Sequence, residues 1–215
     1  MTTWATFLSD VRLDLKDTGA TQRFTDGALY LWVKDAIRDY SMHYPRRMDR
    51  IELSAADGAS PLPADFIQDV EVEYPLNTFL ERRQQRPGQS YTQGTTPTYY
   101  YTSRGNLYLD SLPPAGPIYL TYDAVHPSPE SADDLTFVLT VPVIDEELIR
   151  LYVKAKASEQ LRTQQASLDR FKLGSGDRQD NPLLPEVNTL MIEYRTKLAE
   201  RYPGRSIRFW KPKRA

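Results

Sequence analysis

Apolar positions recur three and four residues apart at both ends of the chain and alternate through its middle. Near the start, Trp4, Phe7, Leu8, Val11 and Leu15 share one helical face, which predicts an amphipathic helix over about Thr3 to Lys16. Asp17-Thr18-Gly19 is its expected end, with glycine suited to a left-handed cap. A second helix is expected from Thr25, an N-cap, with Asp26 near the positive end of the dipole. Leu29, Trp32, Val33, Ala36, Ile37 and Tyr40 form its stripe, and Pro45 bounds it. After Pro142, with Asp145 as cap, Leu148, Ile149, Tyr152, Val153, Ala157 and Leu161 predict a third helix with a polar continuation to Gln165. Residues 168–182, including Gly174 and Gly176, read as a loop. A fourth helix is expected from near Leu184, with Pro185 in its first turn and Pro203-Gly204 as its stop.

Between these lie short alternating runs. Arg50 to Leu53 ends at the turn Ala56-Asp57-Gly58, and Val70 to Tyr74 alternates cleanly. Tyr99 to Thr102 and Asn106 to Leu109 flank Ser103-Arg104-Gly105, the signature of a hairpin. Pro117 to Tyr122 is a further strand. Proline follows the same division: none lies in residues 1–44 or 143–181, and eleven of the sixteen lie between 46 and 143. The expected fold class is therefore α+β. It consists of an antiparallel helical bundle of about four helices (1–45 and 143–203), an inserted small antiparallel β region (46–142) and an extended C-terminal tail (204–215).

Composition narrows the function. With tyrosine set aside and glycine added, the apolar share of the 215 residues is about 38%, below the usual range of about 45–50%, so a large dry core is not expected. The absence of cysteine excludes a disulfide scaffold, a thiolate zinc site and a cysteine nucleophile. Two histidines, His43 and His126, cannot make a histidine-rich metal centre, and a loop or surface role is expected for both. No phosphate loop, dinucleotide fingerprint or nucleophile elbow is present, so no enzyme, metal or cofactor is expected. Asp145-Glu146-Glu147 reads as helix capping and dipole compensation, and Asp133-Asp134 as a solvated loop. No apolar run approaches the roughly 18 residues that cross a bilayer, so no membrane contact is expected. The opening Met1-Thr2-Thr3-Trp4 lacks the basic and apolar regions of a signal peptide, so the expectation is a protein made in the cytoplasm.

Two stretches remain. Eight of fourteen tyrosines lie between Tyr74 and Tyr122, and Tyr99, Tyr100 and Tyr101 are contiguous. They read as sheet packing or a subunit or tail contact; base or sugar stacking is the alternative, which would make the chain a nucleic-acid-binding module or a carbohydrate-binding tail component. The C-terminus is the other. Arg201, Arg205, Arg208, Lys211, Lys213 and Arg214 follow Glu200 with no acid among them, whereas residues 1–200 hold 21 basic and 29 acidic side chains, a net of −8. Ile207, Phe209 and Trp210 sit inside that basic run. Aromatics that would lose burial in water, set among arginines, read as a docking peptide for an acidic partner surface.

The order of features resembles the head-to-tail connector, or adaptor, proteins of tailed bacteriophages. The resemblance rests on Leu29 to Pro45, a helix ending at Tyr44-Pro45; on Leu62-Pro63-Ala64-Asp65-Phe66 leading into Val70 and Val72; and on Asn106 to Tyr122, followed by the linker Leu139 to Pro142 and the helix from Asp145. It covers most of the chain as a pattern, without a strict motif. It implies a structural virion protein of the neck, assembled in the host cytoplasm, whose copies form a homo-oligomeric ring, typically twelvefold, under the portal protein. The ring would extend the DNA channel and give tail or neck proteins their platform. By the same resemblance the segment holding Arg205, Arg208, Phe209, Trp210, Lys211, Lys213 and Arg214 docks between portal subunits. Packaged DNA would slide past an acidic body without specific binding.

Overall fold

The computed structural model describes residues 1–54, 59–83, 92–93, 96–112, 116–172 and 183–201. The chain divides into two compact units, one of residues 1–43 and 127–215 and one of residues 44–126. Residues 127–142 group with the helices in this division.

The first unit holds α1 (Trp4–Asp14), α2 (Asp26–His43), α3 (Glu146–Lys172) and α4 (Leu183–Arg201). α3 packs against the other three. The stripes meet as their spacing implies: Trp4, Phe7, Val11, Leu29, Val33, Ile37, Leu148, Ile149 and Val153 are all buried. Thr25 supplies the expected side-chain cap, accepting from the Ala28 amide at 3.2 Å, and Thr3 caps α1 by accepting from the Thr6 amide at 3.4 Å. The segment before α3 is stitched to the N-terminus. The Trp4 amide donates to the Phe137 carbonyl at 2.7 Å and its indole N–H to the Ala132 carbonyl at 2.9 Å.

Two helix ends differ from expectation. α1 closes through Lys16, with φ 53°, rather than Gly19. The Lys16 amide donates to the Leu13 carbonyl and the Asp17 amide to the Arg12 carbonyl, a complete Schellman pair. A non-glycine residue holds this geometry because buried Asp17 is clamped. Its carboxylate takes the Arg12 guanidinium at 2.8 Å and the Arg23 amide at 2.6 Å. α3 runs on to Lys172, through part of the expected loop, because residues 166–172 hold no glycine or proline to break it.

The second unit overturns the expected architecture. The protein is mixed α and β, but it is not a helical bundle carrying a small β insert. Nine strands are described: β1 (Arg46–Leu53), β2 (Ala59–Pro61), β3 (Phe66–Glu73), β4 (Glu81–Arg82), β5 (Thr92–Gln93), β6 (Tyr99–Ser103), β7 (Asn106–Leu109), β8 (Ser111–Leu112) and β9 (Ile118–Ala124). They form sheets of order β1-β9-β3, β2-β7-β6-β4 and β5-β8. Two pairings, β4 with β6 and β5 with β8, are parallel rather than antiparallel. The physical reason is a core that the low apolar share did not announce. Val72, Leu120 and Tyr122 from the first sheet and Tyr100, Leu107 and Leu109 from the second enter one buried cluster. Tyrosine substitutes for aliphatic residues there, its hydroxyls finding carboxylates.

The β6–β7 hairpin turns on Arg104 and Gly105 alone, with φ 48° and 76°, the two positive values of a type I′ loop. β1 starts four residues earlier than expected and carries a bulge between Met48 and Ile51, where Arg50 has φ 50°. The turn expected at Ala56 to Gly58 and the glycines Gly174 and Gly176 lie outside the described residues.

Candidate functional site

The expected docking residues Arg205, Arg208, Phe209, Trp210, Lys211, Lys213 and Arg214 lie outside the described residues. What the structure describes is the root from which that segment continues. The last turns of α4 are fastened to α2 and to the start of α3. The Tyr194 hydroxyl donates to Asp39 at 2.6 Å, with its ring edge-on to Tyr152 at 5.4 Å. Burial, then the bond to Asp39, pushes the Tyr194 hydroxyl far above its ordinary pKa.

One turn on, Lys197 bridges Glu147 and Glu193. The Lys197 ammonium, by hydrogen bond and charge, holds the Glu147 carboxyl below the usual carboxylate range, and Arg201 adds to it. The final residue of α4, Arg201, donates to the Ile144 carbonyl and the Asp145 carboxylate and reaches Glu147 at 3.4 Å. Asp145 is completely buried and also accepts the Tyr40 hydroxyl at 2.6 Å. A carboxylate so enclosed needs such partners, because a lone buried charge is strongly unfavourable. Asp145 stands just before α3, where a cap was expected, but its carboxylate joins Tyr40 to Arg201. Beside it Glu146 is buried, and its Oε1 has no hydrogen-bond partner.

The 3₁₀ turn Val143–Asp145 presents two apolar side chains outward: Val143 is 61% and Ile144 71% exposed. Sequence reasoning missed this pair. A Val-Ile step just before an amphipathic helix reads as lead-in, and no periodicity distinguishes an outward pair from a buried one.

The contiguous tyrosines separate by face, as strand alternation requires. Tyr100 points into the β core, 2% exposed, and donates to Asp69 at 2.7 Å; Asp69 in turn bridges Arg82 at 3.1 Å. Burial, then the Asp69 bond, raises the Tyr100 hydroxyl well above its ordinary value. Tyr100 is therefore a core residue and offers no surface to a partner. Tyr99 and Tyr101 take the other face and are half-buried. The Tyr101 ring stacks on Tyr108 at 5.0 Å and 10°. The Arg83 guanidinium lies 4.6 Å from the Tyr99 centroid while pairing with Glu81 at 2.6 Å.

His126 lies in the loop after β9, one of the two roles expected, but it is buried rather than at the surface, with Nε2 3.1 Å from the Tyr44 carbonyl oxygen. Among the described residues no cluster of three His, Asp or Glu side chains is placed to hold a metal ion. No described helix is long and apolar enough to cross a membrane.

The family model described as SU10 adaptor protein matches residues 2–185 of the chain. No curated protein matches it.

Proposed function

From the premise that this chain belongs to the SU10 adaptor protein family, a structural family of the phage head–tail junction, we propose that its copies close into a ring, twelvefold by the resemblance above, beneath the portal protein. The ring extends the DNA channel and carries the next neck or tail protein. Each subunit is recruited through its C-terminal arm, in which Phe209 and Trp210 fill apolar pockets while Arg205, Arg208, Lys211, Lys213 and Arg214 meet acidic groups. Packaged DNA passes without specific binding, because residues 1–200 carry a net charge of −8. Tyr99 and Tyr101, exposed in part on the outer face of β6, belong to the contact with a neighbouring subunit or the tail.

The observation that carries this reading is the family match, which spans both units of the chain. The anchoring of α4 supports the arm's part in it. A segment leaving a helix end tied to buried Asp145 starts from a fixed point, which lowers the ordering cost of docking. Deleting residues 204–215 is expected to abolish co-sedimentation with portal protein while the circular dichroism spectrum stays that of the full chain. Undiminished co-sedimentation of the truncated chain rejects docking through the arm.

A further inference from the structure

We infer that Val143 and Ile144 form a second docking surface, a shelf on the body of the subunit that packs against the same protein that grips the arm. This deepens the docking proposal and rests on it. The shelf is apolar and open, with both side chains more than half exposed. It is also held rigidly. The Asp145 amide donates to the Pro142 carbonyl at 2.8 Å, the Ile144 carbonyl accepts from Arg201, and the Asp145 carboxylate is locked between Arg201 and Tyr40. An exposed apolar pair on a mobile loop would lose rotamer and backbone freedom when covered, whereas a pair on a fastened turn loses little.

The occupant follows from where the described chain ends. The Arg201 side chain touches the shelf's own backbone, and the first docking residue, Arg205, is four residues on, so its Cα stands at most about 14 Å from that of Arg201. A protein that holds Arg205 is therefore kept within reach of the shelf. Tethering turns that second contact into an intramolecular one at an effective concentration in the mM range. The two side chains fall well short of the roughly 800 Å² per partner that a stable interface buries, so the shelf adds to the arm and does not replace it. The partner it fits carries an apolar depression beside an acidic groove: the depression takes Ile144 and Val143, and the groove takes the arm's arginines. At the shelf's edge Glu147 is already paired with Lys197 and Arg201, so it does not repel that acidic groove as a free carboxylate would.

The test uses the full chain with Val143→Asp and Ile144→Asp together, titrated against purified portal protein by co-sedimentation. The chain lacking residues 204–215 is run in parallel. Both substituted positions are exposed, so the thermal midpoint should not move; the single variant Ile144→Ala serves as a milder check if it does. The expected result is at least about a tenfold weaker association for the double variant with the arm intact, the scale of losing an apolar anchor. Wild-type association by the double variant, with none by the truncated chain, overturns the shelf and leaves the arm's docking standing. Wild-type association by both overturns both. Two further measurements exclude other occupants. If the double variant changes self-association in light scattering but not portal binding, the shelf serves a second copy. If the Trp210 emission of the free chain, obtained by difference from Trp210→Phe, shifts to that of exposed indole in the double variant, the shelf holds the chain's own arm. Either result overturns the inference.

Discussion

Among the described residues, tyrosine hydroxyls donate to aspartates at or near the core: Tyr40 to Asp145, Tyr194 to Asp39, Tyr100 to Asp69 and Tyr122 to Asp65, at 2.6, 2.6, 2.7 and 3.0 Å. In a chain poor in aliphatic residues, the rings supply apolar area and the hydroxyls give carboxylates a donor. Such bonds to a charged group are each worth about 1.5–3 kcal/mol when buried. The cost appears at high pH. Burial, then the Asp65 bond, pushes Tyr122 up to about 12, and Tyr100, Tyr152 and Tyr194 are raised by burial first. A raised folded pKa means the neutral phenol is favoured. This stability is therefore complete below the unfolded value of about 10 and is lost as pH rises, for Tyr122 between 10 and about 12. A tyrosinate absorbance titration should show Tyr100, Tyr122, Tyr152 and Tyr194 ionising later than an ordinary phenol, together with the loss of structure. Tyr122→Phe should remove one of the four. Ionisation of all fourteen in a single step near pH 10, with the fold intact, contradicts this role for the pairs.

At the scale of elements, the β6–β7 turn isolates one backbone term. Gly105 has φ 76°, and a Cβ there would meet nothing within 4 Å. Gly105→Ala therefore changes conformational strain and little else. It should destabilise the protein by roughly 1–2 kcal/mol in urea unfolding, the cost of a left-handed L-residue. A neutral result means that the I′ turn relaxes to another type. This hairpin was legible in the sequence because Arg104-Gly105 sits between two short runs rich in strand-forming residues. The helices were legible for a similar reason, since stripes such as Leu29-Val33-Ile37 depend only on local spacing. What escaped depended on distant partners. Lys16 holds the left-handed cap because Asp17 is clamped by Arg12, whereas Gly19 merely looked suited to it. Asp145 was recognised as a helix start, but Tyr40, its partner 105 residues away, was not. The parallel pairing of β4 with β6 joins strands separated by residues 83–98, which local spacing cannot connect, and β4 is only two residues long. Between sheet packing and a subunit or tail contact, the sequence left Tyr100 open, because three consecutive tyrosines do not say which of them points inward.

At the scale of the molecule, the chain passes twice between units, at 43–44 and at 126–127. On the β side both crossings are fastened together. Arg46 pairs with Ala124 in the β1–β9 ladder, and the His126 ring contacts the Tyr44 carbonyl. The ends of the β unit thus lie side by side, as in domains that tolerate insertion into another chain. Its core is drawn from its own strands: Leu53, Val72, Tyr100, Leu109, Leu120 and Tyr122 all fall within 44–126. A unit of this size buries only about 60–65% of the surface its unfolded chain exposes, which is marginal but sufficient for many small domains. Residues 44–126 expressed alone should therefore give a β-type circular dichroism spectrum and a single cooperative urea transition. A spectrum of unfolded chain, or a transition without cooperativity, means that the helices are required to hold the sheets. The outcome bears on the adaptor itself. If the β unit folds alone, substitutions at the arm root, such as those at Val143 and Ile144, should leave its transition unchanged, and any loss of assembly they cause arises at the docking surface rather than from a disturbed fold.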